Sequence, residues 1–589
     1  MRVADYIIQR LWENSVRYLF MVTGRGVLYL SDAAAKQEKL NCISVHHEQA
    51  GAFAAMAYAQ YNQTMGACLV STGCAGTNAI TPVLCAWQDE VPMMIISGQN
   101  TLKETTRFTK LPIRTYGQQE ADIVSIVSTI TKYAVMIDDP SRIAYEMDKA
   151  FYMAQNGRKG PVWIDVPLDI QNCRIDPDEL ERFIPGQTPV CQIDISSIFE
   201  SLKAAQRPVV LIGNGIRSSK SIEVFKNFVN SWKLPVVYAN SAVDIFGAEN
   251  DLSLGVVSSM AANRAANFAV QNADYVLVLG CRLTSMTVGG DPNKFARQAK
   301  IDVVDIDKNE HGKETVRIHS MVSADIKDFL REMNHKPTCE TPLEWQNKCR
   351  HWKEIFPKCP TERKGKTPMD LYEVTDALSE YLADDAIVVC DAGLEELITP
   401  STVFFHDQQR CLHPVSQGAM GYALPAVIGA FLSSKKQSVA VTGDGSVMMN
   451  IQELQTIAHH RFPVKILIIN NDCYAVIRKR QKDLFRTRTI GTDMTNGVSC
   501  PDFQKVACAF GIQYQKIENS SQLSRLSNVL NAEEPVICEI FTTSDQTFIH
   551  SSFTRTKEGK FVQRPLEDQS PFLDRELFLS EMIVAPIDQ

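Results

Sequence analysis

Short apolar runs rich in Val and Ile alternate along the chain with stretches of helical periodicity. Runs at 66–73 and 91–98 flank a helical stretch near 77–87, and the same strand-helix-strand order returns at 207–239 and 437–470. Parallel sheets are covered on both faces by the helices that cross between their strands, which produces continuous apolar runs of this kind. The pattern therefore predicts an α/β protein with three doubly wound parallel-sheet domains.

Two polar, Pro-bearing segments without strand patterning, at 176–189 and 359–370, are the predicted linkers. A chain of 589 residues is long enough for several domains of the usual size of about 100–200 residues. We expect an N-terminal domain at 1–175, a central Rossmann-like domain at 190–340, a C-terminal domain at 365–548, and a tail at 549–589. The tail is neither repetitive nor strongly periodic, and we expect it to drape over another domain or the active site.

Composition and charge indicate which partners and which cellular compartment are to be expected. Apolar residues make up 45% of the chain and charged residues 22%, the profile of a folded globular protein. The net charge of −8 gives no electrostatic reason to expect nucleic acid or an anionic membrane, and no run approaches the roughly 20 apolar residues of a membrane span. The 16 cysteines form no C-x-x-C pair and the N-terminus lacks an apolar signal-peptide core, so a reducing cytoplasm is the expected compartment.

The segment 439–472 carries the most informative chemistry. A strand ends in Gly443-Asp444-Gly445, a helix follows, and the next strand ends at an Asn pair that includes Asn471. Adjacent parallel strands bring their carboxyl ends to one edge of a sheet, so Asp444 and Asn471 should lie together there. Oxygen ligands beside glycine backbone and a helix N-terminus suit Mg²⁺ that holds a diphosphate. Gly-Asp-Gly alone is more often a plain turn, but the paired Asn favours the metal site.

Six separated segments follow one another along the chain: HEQ at 47–49, DEVPMMIISGQ at 89–99, QEAD at 119–122, GPVWIDVPLDI at 160–170, GAMGYALPAVIGA at 418–430 and GDGSVMMNIQEL at 443–454. Their sequences and their order resemble the acetolactate synthase-like (pyruvate oxidase/decarboxylase) branch of the thiamine-diphosphate enzymes. The resemblance implies an N-terminal pyrimidine-binding domain, a central domain and a C-terminal diphosphate-binding domain. It also implies thiamine diphosphate and Mg²⁺ as cofactors, and a homodimer or homotetramer with active sites between subunits.

Glu48 is the residue whose role the resemblance changes most. On local sequence alone, Glu48 is explained equally well without any catalytic role, because a carboxylate at a helix start interacts favourably with the helix dipole. A metal site with His46 and His47 is disfavoured, because adjacent histidines point in different directions and no further ligand cluster accompanies them. The resemblance implies instead that Glu48 bonds to N1′ of the cofactor's aminopyrimidine ring and sets the tautomer that makes the cofactor basic.

The resemblance implies roles for further residues. Met420 would wedge beneath the cofactor, although a methionine is more often core filling. Gln119 would be catalytic together with Glu48 and Met420. Mg²⁺ would be bound by Asp444, Asn471 and the backbone carbonyl of Cys473. The remaining cofactor contacts would come from Thr72, Asn78, Gly393, Gly418, Gly443, Gly445 and Ser446.

Several pocket positions depart from the family. Arg480 stands where the family carries a tryptophan, and Arg25 lies in the segment that replaces its Pro-Gly-Gly-Ala. A guanidinium forks onto a carboxylate or a phosphate, which favours an anionic substrate at both positions. A solvated basic helix surface at 478–480 explains Arg480 about equally well. His47 and Arg282 are the other predicted substrate contacts.

Two replacements concern the cofactors. Leu394 and Glu395 stand where a Gln-His pair touches the diphosphate in the family, and neither is expected to donate those hydrogen bonds. Residues 283–286 replace the Phe-Asp-Asp-Arg that follows Arg282 in the family, so FAD is doubtful. The Gly-Asn-Gly turn at 213–215 is too common a feature to restore a nucleotide site.

Three functions remain open. The first is decarboxylation of a 2-keto acid, pyruvate, with transfer of the remaining fragment to an acceptor carbonyl, as in acetolactate synthase. The second keeps the donor chemistry with an anionic keto-sugar or nucleotide-sugar acceptor, or splits a C–C bond as a lyase or hydrolase. The third is a cofactor-binding paralogue without catalysis, which the joint presence of Glu48, Asp444, Asn471 and Met420 argues against.

Overall fold

Three six-stranded sheets follow one another along the chain in the computed structural model, which describes residues 1–186, 193–313, 316–486, 488–555 and 559–587. Every strand pair within these sheets is parallel, and helices connect the strands. The predicted fold class, three doubly wound α/β domains, is confirmed. The domain boundaries stay predictions, and residues 187–189 of the first predicted linker lie outside the described residues.

The first sheet is built from β1 (Tyr18–Met21), β2 (Asn41–Ser44), β3 (Gly66–Val70), β4 (Met93–Gln99), β5 (Tyr133–Met136) and β6 (Val162–Pro167). Its helices are α1 (Val3–Glu13), α2 (Leu28–Lys36), α3 (Glu48–Asn62), α4 (Cys74–Asn78), α5 (Ile80–Gln88), α6 (Thr106–Thr109), α7 (Ile123–Val127), α8 (Ile143–Gln155) and α9 (Leu168–Asn172). The strand order is β2-β1-β3-β4-β6-β5. The winding reverses between β1 and β3, which opens a crevice at their carboxyl ends.

The second sheet is built from β7 (Pro208–Ile212), β8 (Val236–Tyr238), β9 (Ser253–Val256), β10 (Tyr275–Leu279), β11 (Lys300–Asp305) and β12 (Ser320–Ser323). Its helices are α10 (Ser196–Ala204), α11 (Gly215–Ser218), α12 (Ile222–Trp232), α13 (Arg264–Asn272), α14 (Ser285–Val288), α15 (Ile326–Asn334) and α16 (Leu343–Ile355). The strand order is β12-β11-β10-β7-β8-β9, so the winding reverses between β7 and β10.

The third sheet is built from β13 (Ile387–Cys390), β14 (Arg410–Leu412), β15 (Ser438–Gly443), β16 (Lys465–Asn470), β17 (Gln513–Ile517) and β18 (Val536–Phe541). Its helices are α17 (Leu371–Tyr381), α18 (Leu394–Thr402), α19 (Ala423–Ser434), α20 (Glu453–His460), α21 (Ala475–Phe485), α22 (Phe503–Phe510) and α23 (Arg525–Leu530). The strand order is β14-β13-β15-β16-β18-β17, and the winding reverses between β13 and β15. Ligand crevices form at such reversal points, which places one directly beside Asp444.

The first and third sheets share a core through α3 and α19. Every residue of α3 from Ala50 to Ala59 is buried, as expected for a helix that is apolar on all sides. Small side chains let the two helices approach closely, since a Cβ on Gly429 would lie 2.0 Å from the carbonyl oxygen of Ala54. The middle of α3 therefore packs against α19 of the third domain.

Residues 549–555 and 559–587 pack onto the central domain. They form an antiparallel hairpin, β19 (Phe553–Arg555) and β20 (Phe561–Gln563), and then α24 (Arg575–Glu581). The ring of Phe578 packs 6.0 Å from that of Phe268, and Glu581 accepts a hydrogen bond from Nε1 of Trp352 at 2.8 Å. The tail thus lies on helices α13 and α16. That it also covers the active site stays a prediction. Among the described residues, no helix combines the length and the apolar character needed to span a membrane.

Candidate active site

Asp444 and Asn471 lie together at the carboxyl edge of the third sheet, directly after the paired strands β15 and β16. Oδ2 of Asp444 accepts the backbone N–H of Asn471 at 3.2 Å, and Oδ1 accepts that of Gly445 at 2.7 Å. The Asp and Asn residues are 2% and 6% exposed, and burial raises the pKa of Asp444 to about 6. The structure therefore brings the two predicted ligands into contact.

The chain after Asn471 offers a third oxygen. Oδ1 of Asn471 accepts the N–H of Cys473 at 3.1 Å, and a β-bridge to Asp493 holds the Cys473 backbone from the other side. Cys473 and Asp444 line the same small cleft. A carboxylate, an amide oxygen and a backbone carbonyl are hard oxygen donors of the kind that Mg²⁺ takes.

Glu395 lies among the residues predicted to hold the diphosphate. A Cβ on Gly393 would lie 2.8 Å from its Oε2, and a Cβ on Gly443 would lie 3.3 Å from its Oε1. Ser446 stands at the same edge and donates to the carbonyl of Ala392 at 3.4 Å. Glu395 is 3% exposed, and burial raises its pKa to about 8. Burial thus favours the neutral carboxyl group, and the expectation that Glu395 donates no hydrogen bond to a diphosphate stays a prediction.

Asp391 is a site residue that the sequence analysis missed. It follows β13, on the other side of the winding reversal from Asp444, and it is fully buried. Its carboxylate accepts the N–H groups of Gly421 at 2.9 Å and Ala423 at 3.0 Å, and so holds the turn that carries the half-buried Met420. The signal was available, because an Asp directly after a buried apolar strand is the same feature that identified Asp444.

Glu48 is the first residue of α3 and is half-buried. Nδ2 of Asn78 donates to its Oε2 at 2.9 Å. His47 caps the helix, since its Nδ1 accepts the N–H of Gln49 at 3.1 Å. No other described residue bonds to Oε1 of Glu48, so that oxygen is available to a ligand.

The crevice of the first sheet carries Thr72, Gln119 and Arg25. Thr72 follows β3, and its hydroxyl donates to a carbonyl at the end of β4 at 3.2 Å. The backbone of Gln119 packs tightly on Gly73, where a Cβ would lie 2.0 Å from the Gln119 carbonyl oxygen. Arg25 is exposed and donates to the side chain of Gln118. The structure therefore brings these predicted residues to one edge of the sheet.

Comparisons with known proteins agree with this geometry. Models of the thiamine pyrophosphate enzyme family match three segments: the N-terminal TPP binding domain at residues 1–126, the central domain at 195–333 and the C-terminal TPP binding domain at 391–540. The acetolactate synthase large subunit of Porphyra purpurea is 30% identical over 563 residues, which cover 92% of each chain. The chain belongs to the thiamine-pyrophosphate-dependent enzymes. The resemblance drawn from the six sequence segments is confirmed.

Further relatives of this thiamine-pyrophosphate-dependent enzyme carry the same description. The acetolactate synthase large subunit of Lactococcus lactis is 29% identical over 558 residues, covering 92% of this chain and 93% of the relative. The acetolactate synthase isozyme 1 large subunit of Escherichia coli is 27% identical over 542 residues, covering 91% and 93%. The similarity therefore extends over nearly the whole length of both chains.

The predicted site residues of this thiamine-pyrophosphate-dependent enzyme fall into two groups on different sheets. Glu48, Thr72, Asn78 and Gln119 belong to the first sheet. Met420, Asp444, Asn471 and their neighbours belong to the third. Among the described residues, no hydrogen bond or ion pair joins the predicted residues of one group to those of the other within one chain. The roles assigned to these residues stay predictions.

Arg282 lies in a cavity of about 560 Å³ where the three domains meet, which also reaches Gly418. Its Nη1 donates to the carbonyl of Gln88 and its Nη2 to the hydroxyl of Ser416, both at 2.7 Å. These bonds tie the second sheet to the first and the third. The guanidinium predicted to meet substrate therefore has a structural task as well.

The Gly-Asn-Gly turn after β7 serves chain packing. The N–H groups of Gly213 and Gly215 donate to the carbonyls of Leu279 and Gly280, each at 3.1 Å. A Cβ on Gly213 would lie 2.2 Å from the Gly280 carbonyl oxygen. Both N–H groups are thus used within the protein, which agrees with treating this turn as weak support for a nucleotide site.

The basic residues at the start of α21 differ in how they are paired. Arg478 donates to Asp545 at 2.9 Å, and Lys479 contacts Asp483 at 2.9 Å. Arg480 is exposed, and no described residue forms a hydrogen bond or ion pair with its side chain. An exposed guanidinium without a protein partner is solvated, so a basic helix surface and a substrate contact both stay open for Arg480.

Proposed function

We propose that the protein uses thiamine diphosphate and Mg²⁺ to decarboxylate a 2-keto acid, pyruvate, and to transfer the remaining fragment to an acceptor carbonyl. The observation that carries this proposal is the buried pair of Asp444 and Asn471 at the winding reversal of the third sheet, beside the turn that holds Met420. The acetolactate synthase large subunits among its relatives support pyruvate as donor.

The residues present fit the metal and the diphosphate. Asp444 is 2% exposed and, among the described residues, only backbone N–H groups bond to its carboxylate. A buried carboxylate without a cation is costly, so this site favours a bound positive charge. Asp444, Asn471 and the carbonyl of Cys473 would hold Mg²⁺, and the main chain around Gly443 and Ser446 would face the diphosphate.

Each catalytic residue then has a defined task. Thiamine diphosphate, when bound, would supply an acidic carbon whose carbanion is a nucleophile toward a keto carbonyl, and a cationic ring able to take up the electron pair of a departing CO₂. Asn78 holds Oε2 of Glu48, so Oε1 would share a proton with the pyrimidine ring. Met420, fixed by Asp391, would support the ring from below, and the exposed amide of Gln119 would hydrogen-bond the substrate.

We further propose a homodimer or homotetramer in which Glu48 and Asp444 of one site come from different subunits. Two groups of exposed apolar side chains support this: one precedes Gln119 and the other follows the metal loop. They are Leu111 (57% exposed), Ile113 (44%) and Tyr116 (59%), and Ile477 (47%), Ile490 (77%) and Met494 (72%). Exposed apolar groups of this kind mark protein interfaces.

CO₂ release from pyruvate tests the reaction. We expect purified protein with thiamine diphosphate and Mg²⁺ to release CO₂, and we expect EDTA to stop it. Glu48→Gln keeps the shape of the side chain but removes the proton-sharing carboxylate, so the rate should fall by at least roughly 100-fold. Accumulation of acetolactate would identify the acetolactate synthase reaction. Failure to release CO₂ from any 2-keto acid, or full activity of Glu48→Gln, would contradict the proposal.

A second candidate keeps the donor and uses an anionic keto-sugar or nucleotide-sugar as acceptor. The observation that favours it is the exposed guanidinium of Arg480, which is paired with no described residue. An exposed guanidinium without a protein partner is suited to binding phosphate. Product analysis with 2-ketobutyrate and with a phosphorylated keto-sugar separates the candidates, because transfer only to the sugar supports the second and transfer only to the keto acid supports the first.

A further inference from the structure

Gln119 lies in the loop of residues 118–121, whose backbone is held by neighbouring side chains. Nδ2 of Asn100 donates to the carbonyl of Gln118 at 2.9 Å, and Nε2 of Gln99 donates to that of Ala121 at 2.9 Å. The Gln119 side chain is exposed and bonds to no described residue, while its backbone has a φ of 61°. A non-glycine residue in this left-handed region is strained, and such strain persists only where the surroundings impose it.

The loop is connected through Gln99 to a buried carboxyl group, that of Asp165, which lies between strands β4 and β6. Ser97 and Asp165 are register partners in these strands, and Oγ of Ser97 donates to Oδ1 of Asp165 at 2.6 Å. Nε2 of Gln99 donates to Oδ2 at 3.3 Å. Nε1 of Trp163 in turn donates to the hydroxyl of Ser97 at 2.8 Å. All four residues are buried, and both oxygens of the Asp165 carboxyl are used.

Gln99 is therefore held on one side by Asp165 and holds the loop on the other. Its Oε1 also accepts the N–H of Asn100 at 3.1 Å. The two residues that donate to the loop carbonyls, Gln99 and Asn100, are therefore hydrogen-bonded to each other. Burying a carboxyl group inside an apolar sheet is unfavourable, and here burial raises the pKa of Asp165 to about 7. Among the described residues, the amide of Gln99 is the group through which this buried network hydrogen-bonds the loop.

We propose that Asp165 is a positioning residue that acts through Gln99 on residues 118–121 and so fixes Gln119 at the crevice of the first sheet. This inference rests on the proposed function only where Gln119 is given a catalytic task. The hold on the loop itself is a separate claim and has its own measurement.

Trypsin measures the hold on the loop without any substrate. Lys110 and Arg114 lie in the segment before Gln119, beside the proposed subunit contact, so trypsin cleaves them in the assembled protein when this segment opens locally. Asp165→Asn keeps an oxygen for Ser97 but turns an amide N–H₂ toward the Gln99 amide, and Gln99→Met removes the link altogether. We expect cleavage at these two sites to accelerate by roughly tenfold in both variants, the effect of one lost buried hydrogen bond.

Asp302→Asn is the matched control for trypsin cleavage. Asp302 is also a buried strand carboxylate and accepts from the hydroxyl of Tyr275 at 3.0 Å, but it lies in the second sheet. It should lose stability without faster cleavage at Lys110 and Arg114. Unchanged cleavage in both Asp165→Asn and Gln99→Met overturns the proposal, whatever their activity.

Steady-state turnover shows whether the hold of Gln99 on the loop affects the rate of catalysis. We expect Gln99→Met to lower kcat by roughly tenfold, and the double variant with Gln119→Ala to be no slower than Gln119→Ala alone. A general structural defect would instead add to the loss. If Gln119→Ala keeps full turnover, the proposed catalytic task of Gln119 fails, while faster trypsin cleavage in the Asp165 and Gln99 variants still supports the hold on the loop. Additive losses without faster cleavage overturn the positioning.

Discussion

Asp391 receives four hydrogen bonds at the end of β13, from the backbone N–H groups of Ala392, Gly421 and Ala423 and from the hydroxyl of Thr442. A carboxylate has several lone pairs, so a single Asp after a buried strand can accept donors from several chain segments and hold them in place. Asp444 uses the same device for its own loop. Local residue type thus sets the backbone positions that the cofactor would meet.

Asp391→Asn tests this at the residue scale. The amide keeps one acceptor oxygen and points an N–H₂ at former donors, which costs about 1–3 kcal/mol per unsatisfied group. We expect the Kd for thiamine diphosphate, measured by calorimetry with Mg²⁺ present, to rise by roughly tenfold or more. Asp302→Asn, a buried carboxylate away from the site, is the control and should leave the Kd unchanged. An unaltered Kd in Asp391→Asn would count against its hold on the Met420 turn.

At the scale of elements, the sequence predicted what depends on local pattern. The Val- and Ile-rich runs became β3, β4, β7, β8, β15 and β16, and the helical stretch predicted near 77–87 falls in α4 (Cys74–Asn78) and α5 (Ile80–Gln88). The contact of Asp444 with Asn471 followed from strand order alone. The pairing of Arg282 with Gln88 and Ser416 could not be predicted, because those partners come from other domains and no local pattern encodes them.

α21 (Ala475–Phe485) provides the prediction at this scale. Arg480→Gln removes the unpaired guanidinium of this exposed helix, whereas Lys479→Gln removes a charge already paired with Asp483. A charge-assisted hydrogen bond contributes about 1.5–3 kcal/mol, so KM for an anionic acceptor should rise roughly 10- to 100-fold in Arg480→Gln. Lys479→Gln is the control and should change KM little. Equal effects of the two variants in steady-state kinetics would assign Arg480 to a general basic surface.

In the whole molecule, Asp244 joins all three domains. Its carboxylate accepts from Arg217 of its own domain at 2.8 Å and from Arg410 of the third sheet at 2.7 Å. Arg410 also donates to the carbonyls of Gln60 and Tyr61 at the end of α3, each at 3.1 Å. Burial by itself raises the pKa of Asp244, but the two arginines outweigh burial and lower it to about 2.

The low pKa of Asp244 gives a pH dependence with a definite sign. A carboxylate with a pKa below its unfolded value of about 4 stabilises the fold above that pH, and this contribution is lost as the pH falls toward 2. Asp244→Asn should cost about 3–5 kcal/mol near neutrality, because it leaves the buried Arg217 and the half-buried Arg410 without their partner. The difference in Tm from wild type should narrow below about pH 4. Asp385→Asn, which breaks an exposed pair with Lys436, is the control and should shift Tm little at any pH.

The central claim is that one reaction site is assembled from Glu48 of one subunit and Asp444 of its partner around thiamine diphosphate and Mg²⁺. Mixing Glu48→Gln with Asp444→Ala, after subunit exchange, tests it most directly by CO₂ release from pyruvate. Each variant alone should be inactive, whereas the mixture should recover about one quarter of wild-type activity, because half of the dimers then contain one intact site of two. An inactive mixture, with subunit exchange shown by differently tagged chains, or an active single variant would contradict the claim.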